Sequence, residues 1–280
     1  MNRTQKVVVV QMEIDWLNPQ INLSRLTDTI KKASVSGGVD LIVFPELALT
    51  GNVIGSDQNF RERYYKMAET IPGPSTEAVG SVARQSNAYV AFGICEKHLD
   101  IPAMIYNSAV LIGPKGELVG VQRKIHIPGE ERHFFAPGNC INVFKTHLGT
   151  LGLLICYDAF FPEIPRIQSL MGAEVICGLF NVPKKKERSP ARLHYLAATR
   201  ANENMNFFIC CNRVGQQGEK SYLANSAVGA PPGELLAYST NDKEELISVI
   251  LERDLVIRER AARPVFRDRR AELYTKICDL

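Results

Sequence analysis

Short runs of apolar residues alternate along the chain with longer segments in which apolar residues recur at helical spacing. Several of the short runs are apolar throughout, which is typical of strands covered on both faces. The pattern predicts strands at Val7–Met12, Asp40–Pro45, Tyr89–Cys95, Asn107–Gly113, Leu151–Tyr157, Val175–Phe180 and Phe207–Val214. Helices are predicted at Asn18–Ser36, Ser75–Ser86, Pro162–Met171 and Ala191–Asn204. Strands and helices that alternate in this way indicate an α/β fold.

The chain shows no internal boundary. It has 280 residues, of which 45% are hydrophobic, so it can bury a large core. Since no repeat, low-complexity tract or Gly/Ser linker interrupts it, we expect a single domain over residues 1–280. The segment 254–280 is rich in arginine, and we expect it to form a C-terminal arm at a subunit contact. Asn107–Gly113 should pair with Glu117–Gln122 as a hairpin.

Charge and composition favour small-molecule chemistry. The formal net charge is only +3 and basic residues are mixed with acidic ones, so neither nucleic acid nor a membrane is an expected partner. The apolar run Val7–Val10 is too short for a signal sequence or a membrane span. The seven cysteines lack Cys-x-x-Cys spacing, and the five histidines include no His-x-x-x-His pair. We therefore expect reduced thiols, a cytoplasmic location and no metal.

Cys156 lies where an apolar run gives way to a turn and then to a helix that begins near Pro162. A thiol at such a strand-to-helix elbow could be exposed at the mouth of the sheet, near helix-terminal amides that favour the thiolate. The backbone amide of Tyr157 could then donate to a developing oxyanion. The residues alone leave a second interpretation open, a buried cysteine that acts as a small apolar residue.

Three charged residues are further candidates. Glu46 follows the predicted strand Asp40–Pro45, at the end of the sheet where ligands bind in α/β folds, and could take a proton from a thiol or from water. The ammonium of Lys124 could hold an oxyanion or nearby carboxylates. Glu131 follows in the same stretch. For each of them the alternative is an ordinary solvated side chain.

Other polar residues are expected to have structural roles. His126 and His133 could form a Cys-His dyad only beside Cys156, and nothing in the sequence places either of them there, so we expect structural hydrogen bonds instead. The basic cluster Lys184–Arg188 is expected to be a solvated loop, although it could attract an anionic substrate.

Three local motifs, in this order, carry a resemblance to a known family. Phe44–Gly51 is similar to the glutamate motif of the nitrilase (carbon-nitrogen hydrolase) superfamily, and Arg123–His126 is similar to its lysine motif. Leu154–Asp158, together with Phe161–Glu163, is similar to its cysteine motif. Further similarity runs through residues 172–174, 200–204, 212–215 and 268–270. The chain thus resembles this superfamily over nearly its whole length.

The resemblance implies a four-layer α-β-β-α sandwich and a Glu-Lys-Cys triad. By motif, Cys156 would be the nucleophile, Glu46 the general base and Lys124 the oxyanion stabiliser, while Glu131 would position substrate or assist proton transfer. The implied reaction cleaves a non-peptide carbon-nitrogen bond through a cysteine thioester, without a cofactor. Members of the family typically dimerise, often with the C-terminal arm crossing the partner, so a homodimer or higher homo-oligomer is expected.

The residues after Cys156 favour hydrolysis of a small amide to a carboxylic acid and ammonia. Nitrile hydrolases of the superfamily often have tryptophan and glutamate after the cysteine, whereas this chain has Tyr157 and Asp158. D-amino-acid carbamoylases have two arginines where this chain has Ala159 and Phe160. With Phe161, these residues could form an apolar wall for an acyl group.

Alternatives to amide hydrolysis remain. Some aliphatic nitrilases have a comparably aromatic stretch, so nitrile hydrolysis stays open, as does hydrolysis of N-carbamoyl amino acids. A binding or scaffold member of the fold is the non-enzyme alternative, although all three triad positions are filled. The chain departs from the family at Ala224, where glycine is usual, and at Ala230, where aspartate is usual. These departures concern a structural region more than the triad.

Overall fold

The computed structural model describes residues 4–35, 37–53, 58–187 and 189–279. The first nine strands are β1 Thr4–Gln11, β2 Leu41–Val43, β3 Tyr89–Lys97, β4 Ile105–Ile112, β5 Leu118–Arg123, β6 Val143–Thr146, β7 Gly149–Ile155, β8 Val175–Leu179 and β9 Phe207–Cys211. They are followed by β10 Gln216–Gln217, β11 Lys220–Ser221, β12 Ala227–Gly229, β13 Leu235–Tyr238 and β14 Glu245–Glu252. The α-helices are α1 Pro19–Val35, α2 Gln58–Met67, α3 Pro74–Ser86, α4 Glu163–Leu170, α5 Arg192–Asn204, α6 Asp254–Ala262 and α7 Lys276–Asp279.

Most strands belong to two six-stranded sheets. The first sheet has the order β14-β1-β2-β3-β4-β5 and the second has the order β13-β12-β9-β8-β7-β6. In each sheet three central strands are parallel, β1 to β3 in the first and β7 to β9 in the second. The carboxyl ends of the parallel strands, where ligands bind in α/β sheets, therefore lie at one edge of each sheet.

The alternation of side chains along each strand builds the layers. Val7 and Val9 of β1 pack between the two sheets with residues of the second sheet such as Leu153. Val8 and Val10 face the other way and pack with Leu26 of α1 and with residues of α3. The outer face of the second sheet packs in the same manner against α4 and α5. The order helices, sheet, sheet, helices confirms the predicted α-β-β-α sandwich.

The predicted elements are present, with differences at their ends. The strand predicted at Leu151–Tyr157 ends at Ile155, because Cys156 begins a short 3-10 helix, Cys156–Phe160. The helix predicted at Asn18–Ser36 is α1, and its last predicted residue, Ser36, lies outside the described residues. The predicted hairpin of β4 and β5 is confirmed. Helix α2 was not predicted, because it is strongly polar and buries only Tyr64.

The segment after residue 254 first packs on its own chain. Arg260 of α6 donates to the carbonyl oxygens of Ala173 at 2.6 Å and of Met205 at 3.2 Å. Farther along, Tyr274 and Ile277 expose large apolar side chains. In the four described ranges, no helix is both long and apolar enough to cross a bilayer.

Candidate active site

Glu46 lies in a tight turn just beyond β2, and glycine at position 93 makes that turn possible. Leu47 has a φ of +48°, and the N–H of Gly93 in β3 donates to the carbonyl of Pro45 at 3.1 Å. A Cβ on Gly93 would lie 2.7 Å from the Glu46 Cα and would also overlap the Leu47 nitrogen. The close approach of β3 therefore fixes the Glu46 backbone, and the Glu46 side chain is only 1% exposed.

The same turn connects the two sheets. The N–H of Glu46 donates to the carbonyl of Phe180, which follows β8, at 3.3 Å. In return, the Asn181 side chain donates to the carbonyl of Glu46 at 3.4 Å. These bonds bring the carboxyl end of β2 against that of β8, the parallel neighbour of β7, which leads to Cys156.

Lys124 follows β5 and is fully buried. Its backbone N–H donates to the carbonyl of Asn107 in β4 at 2.8 Å, which extends the β4–β5 pairing by one residue. Its Nζ lies 2.7 Å from Glu46 Oε1 and 2.7 Å from Glu131 Oε2. The structure thus brings Glu46 together with Lys124 and Glu131, which come from a stretch nearly 80 residues further along the chain.

Burial and charge set the protonation of this cluster. Burial raises the pKa of Glu131 to about 7; the Lys124 ammonium opposes this rise and the Glu46 carboxylate adds to it. For Lys124, burial acts to lower the pKa, but the two carboxylates outweigh it and hold the pKa above its ordinary value. The ammonium is therefore permanent at neutral pH, whereas Glu131 titrates there.

Asn107 is a site residue that the sequence did not reveal. Its Nδ2 donates to Glu46 Oε1 at 2.7 Å, the same oxygen that Lys124 binds. Two donors thus fix one oxygen of the carboxylate. Glu46 Oε2 is buried and accepts no hydrogen bond from the part of the chain that the structure describes. This second oxygen is available to take a proton.

Cys156 occupies the strand-to-helix elbow that the sequence predicted. Its φ of +45° lies in the left-handed region, which turns the chain sharply at the end of β7, and its side chain is half-buried. Burial raises the pKa of the Cys156 thiol well above its usual value, with Glu46 adding to the rise, while Lys124 and the Asn181 backbone N–H oppose it. Burial outweighs the nearby amide, so the resting sulfur keeps its proton, and a base would have to remove that proton for the sulfur to act as a nucleophile.

The aromatic residues after Cys156 form part of a pocket. Phe161 stacks on His126 with ring centroids 3.6 Å apart, and Tyr157 meets Phe161 edge-on at 5.2 Å. The pocket has a volume of about 410 Å³ and is lined by His126, Ile127, Arg132, Phe135, Pro137, Tyr157 and Phe161. Phe160 lies outside this lining; it is exposed and packs near Tyr157, at 6.2 Å between ring centroids.

Asp158 explains the position of His126. Its Oδ1 lies 2.8 Å from the His126 backbone nitrogen and 2.9 Å from His126 Nδ1, and its Oδ2 accepts from the Ile125 N–H at 3.2 Å. The structural hydrogen bond predicted for His126 is confirmed. His133 is exposed on the 3-10 helix Gly129–His133, and its predicted role stays a prediction. Asp158 thus ties the cysteine turn to the loop that carries Lys124.

Tyr222 is a further residue that sequence patterns missed. It is buried, and its ring lies 4.1 Å from the guanidinium of the buried Arg213. Burial raises the pKa of Tyr222 to about 12, with Arg213 opposing and the charges of Glu46 and Cys156 adding. Its hydroxyl donates to the side-chain oxygen of Gln217 at 3.4 Å. No sequence signal could have found it, because it comes from a loop between two short strands.

The two departures from the family pattern lie in the same region. Ala224 is buried with a φ of +59°, a conformation that glycine adopts without strain, which accounts for the usual residue there. Ala230 is buried in the core between the sheets.

The basic cluster predicted at Lys184–Arg188 is exposed from Lys184 to Glu187, and Lys184 pairs with Asp242. Arg188 lies outside the described residues. Across the described ranges, no group of histidine, cysteine or acidic side chains could hold a metal ion.

The sequence profile of a family described as carbon-nitrogen hydrolase matches residues 6–261. A protein named nitrilase from Pyrococcus abyssi is 35% identical over 277 residues, which cover 96% of this chain and 98% of its own. An (R)-stereoselective amidase from a Pseudomonas species is 30% identical over 269 residues, which cover 96% of this chain and 92% of that protein. The crystal structure of a carbon-nitrogen hydrolase from Helicobacter pylori G27 matches with a TM-score of 0.87 at 23% identity, covering 99% of this chain and 98% of that one. As its three motifs indicated, this chain belongs to the carbon-nitrogen hydrolase family, that is, to the nitrilase superfamily.

Proposed function

We propose that this chain hydrolyses a small linear amide to a carboxylic acid and ammonia, with Cys156 as the nucleophile. The main support is the buried Lys124, whose Nζ lies 2.7 Å from Glu46 Oε1 and 2.7 Å from Glu131 Oε2. A lysine and two carboxylates sealed together are costly to bury, and perturbed groups of this kind are typical of catalytic sites. The electrostatic coupling of all three to the Cys156 thiol supports a common role.

The first half of the reaction forms a thioester. Glu46 Oε2 takes the proton of the Cys156 thiol as the sulfur attacks the amide carbon, and the carbonyl electron pair moves onto oxygen. The resulting oxyanion is stabilised by the Lys124 ammonium and by the Tyr157 backbone N–H. When the oxyanion collapses, the carbon-nitrogen bond breaks and the nitrogen takes the proton from Glu46 and leaves as ammonia.

The second half of the reaction releases the acid. A water molecule gives a proton to Glu46 and attacks the thioester carbon, and the carbon-sulfur bond then breaks. The sulfur takes back a proton, which restores the thiol. Glu131, whose pKa is raised to about 7 by burial, can share this proton transfer or hold the amide nitrogen.

Removal of the sulfur tests the proposal. Cys156→Ala should abolish ammonia release from a panel of short amides, while Cys140→Ala, which changes an exposed thiol, should leave it unchanged. A chain that retains amide turnover without Cys156 would refute the assignment. Absence of turnover in the wild type, together with ordinary alkylation of Cys156, would favour the binding or scaffold alternative.

A nitrile is the second candidate substrate, because the relative from Pyrococcus abyssi is named a nitrilase. Attack of Cys156 on a nitrile carbon gives a thioimidate, and one water molecule then converts it to the thioester with loss of ammonia. The amide and the nitrile of one acyl chain separate the two activities. Faster release of acid from the nitrile than from the amide would make the nitrile the first candidate substrate.

Hydrolysis of N-carbamoyl amino acids is less well supported. Carbamoylases of the D-amino-acid type have two arginines after the cysteine, and this chain has Ala159, which is fully buried, and Phe160. The same substrate panel should include one carbamoyl amino acid. Release of carbon dioxide and ammonia from it, in preference to simple amides, would favour that branch.

We also propose that the chain acts as a homodimer or higher homo-oligomer. The exposed apolar residues Ile167 and Leu170 of α4 line a pocket of about 530 Å³ together with Val265, Tyr274 and Ile277 from the C-terminal arm. An exposed apolar surface of this kind is typical of protein contacts. Sedimentation of the full chain tests the proposal, and a monomer at micromolar concentration would contradict it.

A further inference from the structure

Asn107 lies on the face of β4 that points between the two sheets. Ala109, two residues farther along this strand, belongs to the core between the sheets, and side chains two residues apart share a face. Asn107 is only 1% exposed, in a strand that is otherwise largely apolar. Burial of an amide costs free energy unless new hydrogen bonds replace those to water. The partners of Asn107 must therefore account for its presence there.

Asn107 contacts three of the proposed catalytic residues. Its Nδ2 donates to Glu46 Oε1 at 2.7 Å, and its carbonyl oxygen accepts the N–H of Lys124 at 2.8 Å. Burial raises the pKa of Glu131, and a hydrogen bond from the Asn107 side chain is among the effects that oppose this rise. The Asn107 Oδ1 is buried and has no partner in the part of the chain that the structure describes. This incomplete bonding costs stability, which indicates that the amide is kept for its effect on the carboxylates.

The two donors on Glu46 restrict the orientation of its carboxylate. A carboxylate beside a single ammonium can turn and offer either oxygen, or both, to the cation. Here Lys124 Nζ and Asn107 Nδ2 bind the same oxygen, Oε1, at 2.7 Å each. Rotation of the carboxylate would break at least one of these bonds. Oε2 is left buried and without a donor among the described residues.

We propose that Asn107 is a positioning residue that assigns separate tasks to the two oxygens of Glu46. Oε1 is held by two hydrogen bonds, and Oε2 is kept free to take the thiol proton of Cys156. Without the Asn107 donor, the carboxylate could turn both oxygens towards Lys124. The base would then be lost, and less positive charge would remain for the oxyanion. The inference rests on the proposed hydrolysis and adds a residue that acts through Glu46 rather than on the substrate.

Two variants of Asn107 distinguish positioning from a purely structural role. Asn107→Asp keeps the shape of the side chain but replaces the donors with an oxygen that repels Glu46. Asn107→Leu removes the donors and adds no charge. Both should lower kcat for a short amide about 100-fold or more, because the base is misplaced, with little change in KM.

The pH dependence of kcat/KM provides a second readout. The acid limb should move to higher pH in both variants, because the Glu46 carboxylate loses a hydrogen bond to its charged form. It should move farther in Asn107→Asp, which also adds a negative neighbour. Among the groups that interact electrostatically with Glu46, Lys124 stays an ammonium, and burial keeps Tyr64 and Tyr222 neutral by raising their pKa values.

Glu131 also interacts with Glu46 and titrates near neutral pH, since burial raises its pKa to about 7. The two substitutions of Asn107 are therefore repeated in a Glu131→Gln chain. A shift that persists in this chain arises at Glu46, as the inference requires. A shift that disappears would assign the effect of Asn107 to Glu131 and would overturn the inference.

Alkylation of Cys156 by iodoacetamide tests the inference without amide turnover. Its rate depends on removal of the thiol proton, and the exposed Cys140 of the same sample reports ordinary thiol reactivity. At neutral pH the rate at Cys156 should fall about tenfold or more in Asn107→Leu and Asn107→Asp, while Cys140 keeps its rate. The same measurement in the Glu131→Gln chain gives the pH profile even if that chain has lost turnover.

Ser108→Ala is the control within β4. It removes a buried hydrogen bond to Glu96 from the opposite face of the strand, and it should leave kcat and the alkylation of Cys156 unchanged. Wild-type rates in Asn107→Asp, or an acid limb that stays in place in both Asn107 variants, would overturn the inference and leave amide hydrolysis standing. Failure of the wild type to cleave any amide would instead refute the proposed function, and the alkylation rates would still decide the role of Asn107. Because Asn107→Asp keeps the volume of the side chain, the test stands even if Asn107→Leu does not fold.

Discussion

The Lys124 ammonium lies 2.7 Å from Glu46 Oε1, and both side chains are sealed from solvent. Because Nζ also lies 2.7 Å from Glu131 Oε2, one cation is shared by two carboxylates. With all three groups ionised, the cluster carries one net negative charge, which disfavours a second anion on Cys156. Transfer of the thiol proton to Glu46 leaves the total charge unchanged. The arrangement therefore favours attack that is coupled to proton transfer over a resting thiolate.

The first prediction concerns the shared cation. Lys124→Met leaves the buried Glu46 and the mostly buried Glu131 without a counter-charge, so the free energy of unfolding should fall by about 3–5 kcal/mol. Amide turnover should be lost, because in the proposed mechanism the oxyanion loses its stabiliser. Urea unfolding and ammonia release measure the two effects. Lys145→Met, at an exposed lysine of β6, is the control, and an equal effect of both substitutions would contradict the prediction.

The second prediction concerns pH. In the folded chain the pKa of Glu131 is raised to about 7 from an ordinary value of 4.5, so the folded state binds the proton more tightly than the unfolded state does. The stabilising effect of this protonated Glu131 is fully present below pH 4.5 and is lost as the pH rises to about 7. Its total size is on the order of 3 kcal/mol.

Comparison of the wild type with Glu131→Gln isolates this effect. The amide keeps the shape of the neutral acid but cannot ionise, so the stability of the wild type relative to the variant should decline between pH 4.5 and 7. Urea unfolding at a series of pH values gives the two curves. Parallel curves over this interval would show that Glu131 is not the titrating group.

The third prediction concerns the close approach of β3 to the turn at Glu46. Gly93→Ala would bring a methyl group against the Glu46 Cα and the Leu47 nitrogen, and backbone atoms cannot move aside as a flexible side chain can. We expect a loss of about 1–3 kcal/mol in stability and a larger relative loss in kcat, because the carboxylate is displaced. In Gly113→Ala the three atoms nearest to the added methyl all belong to the movable Glu117 side chain, and this variant should keep its kcat.

The fourth prediction separates this site from a Cys-His dyad. His126 is bound to Asp158 and stacked on Phe161, which makes it a positioning residue. His126→Asn should lower activity by less than about 100-fold and should leave the shape of the pH-rate profile unchanged. One limb of the pH-rate profile reports the general base. If His126→Asn alone lost that limb, the imidazole would be the group that takes the thiol proton.

Much of this arrangement could be predicted from the sequence, because local patterns were sufficient. The apolar runs before Glu46 and Cys156 predicted strand ends, and β2 and β7 end within three residues of them. In contrast, Asn107 and Gly93 lie within apolar strands. The alternation of side chains along a strand does not reveal which of its residues contacts a site. Their roles depend on which strands are neighbours, and that information comes only with the folded sheet.

Other features were missed for different physical reasons. Strand β14 alternates buried and exposed residues, but charged residues at its ends dilute the apolar signal. Asp158 belongs to the cysteine motif, yet its bonds to His126 depend on the turn that begins at Cys156. Arg132 could not be distinguished from any surface arginine until its lining of the pocket was known.

The mass of the protein during turnover tests the central claim most directly. When the full chain is quenched while it hydrolyses an amide, the peptide that contains Cys156 should carry the mass of the acyl group, as expected for a thioester. The rate at which Cys156 becomes acylated after mixing should fall sharply in Glu46→Gln, because the buried Oε2, the proposed acceptor of the thiol proton, is replaced by an amide nitrogen or by a much weaker base. Acylation at another residue, or an undiminished rate of acylation of Cys156 in Glu46→Gln, would contradict the account.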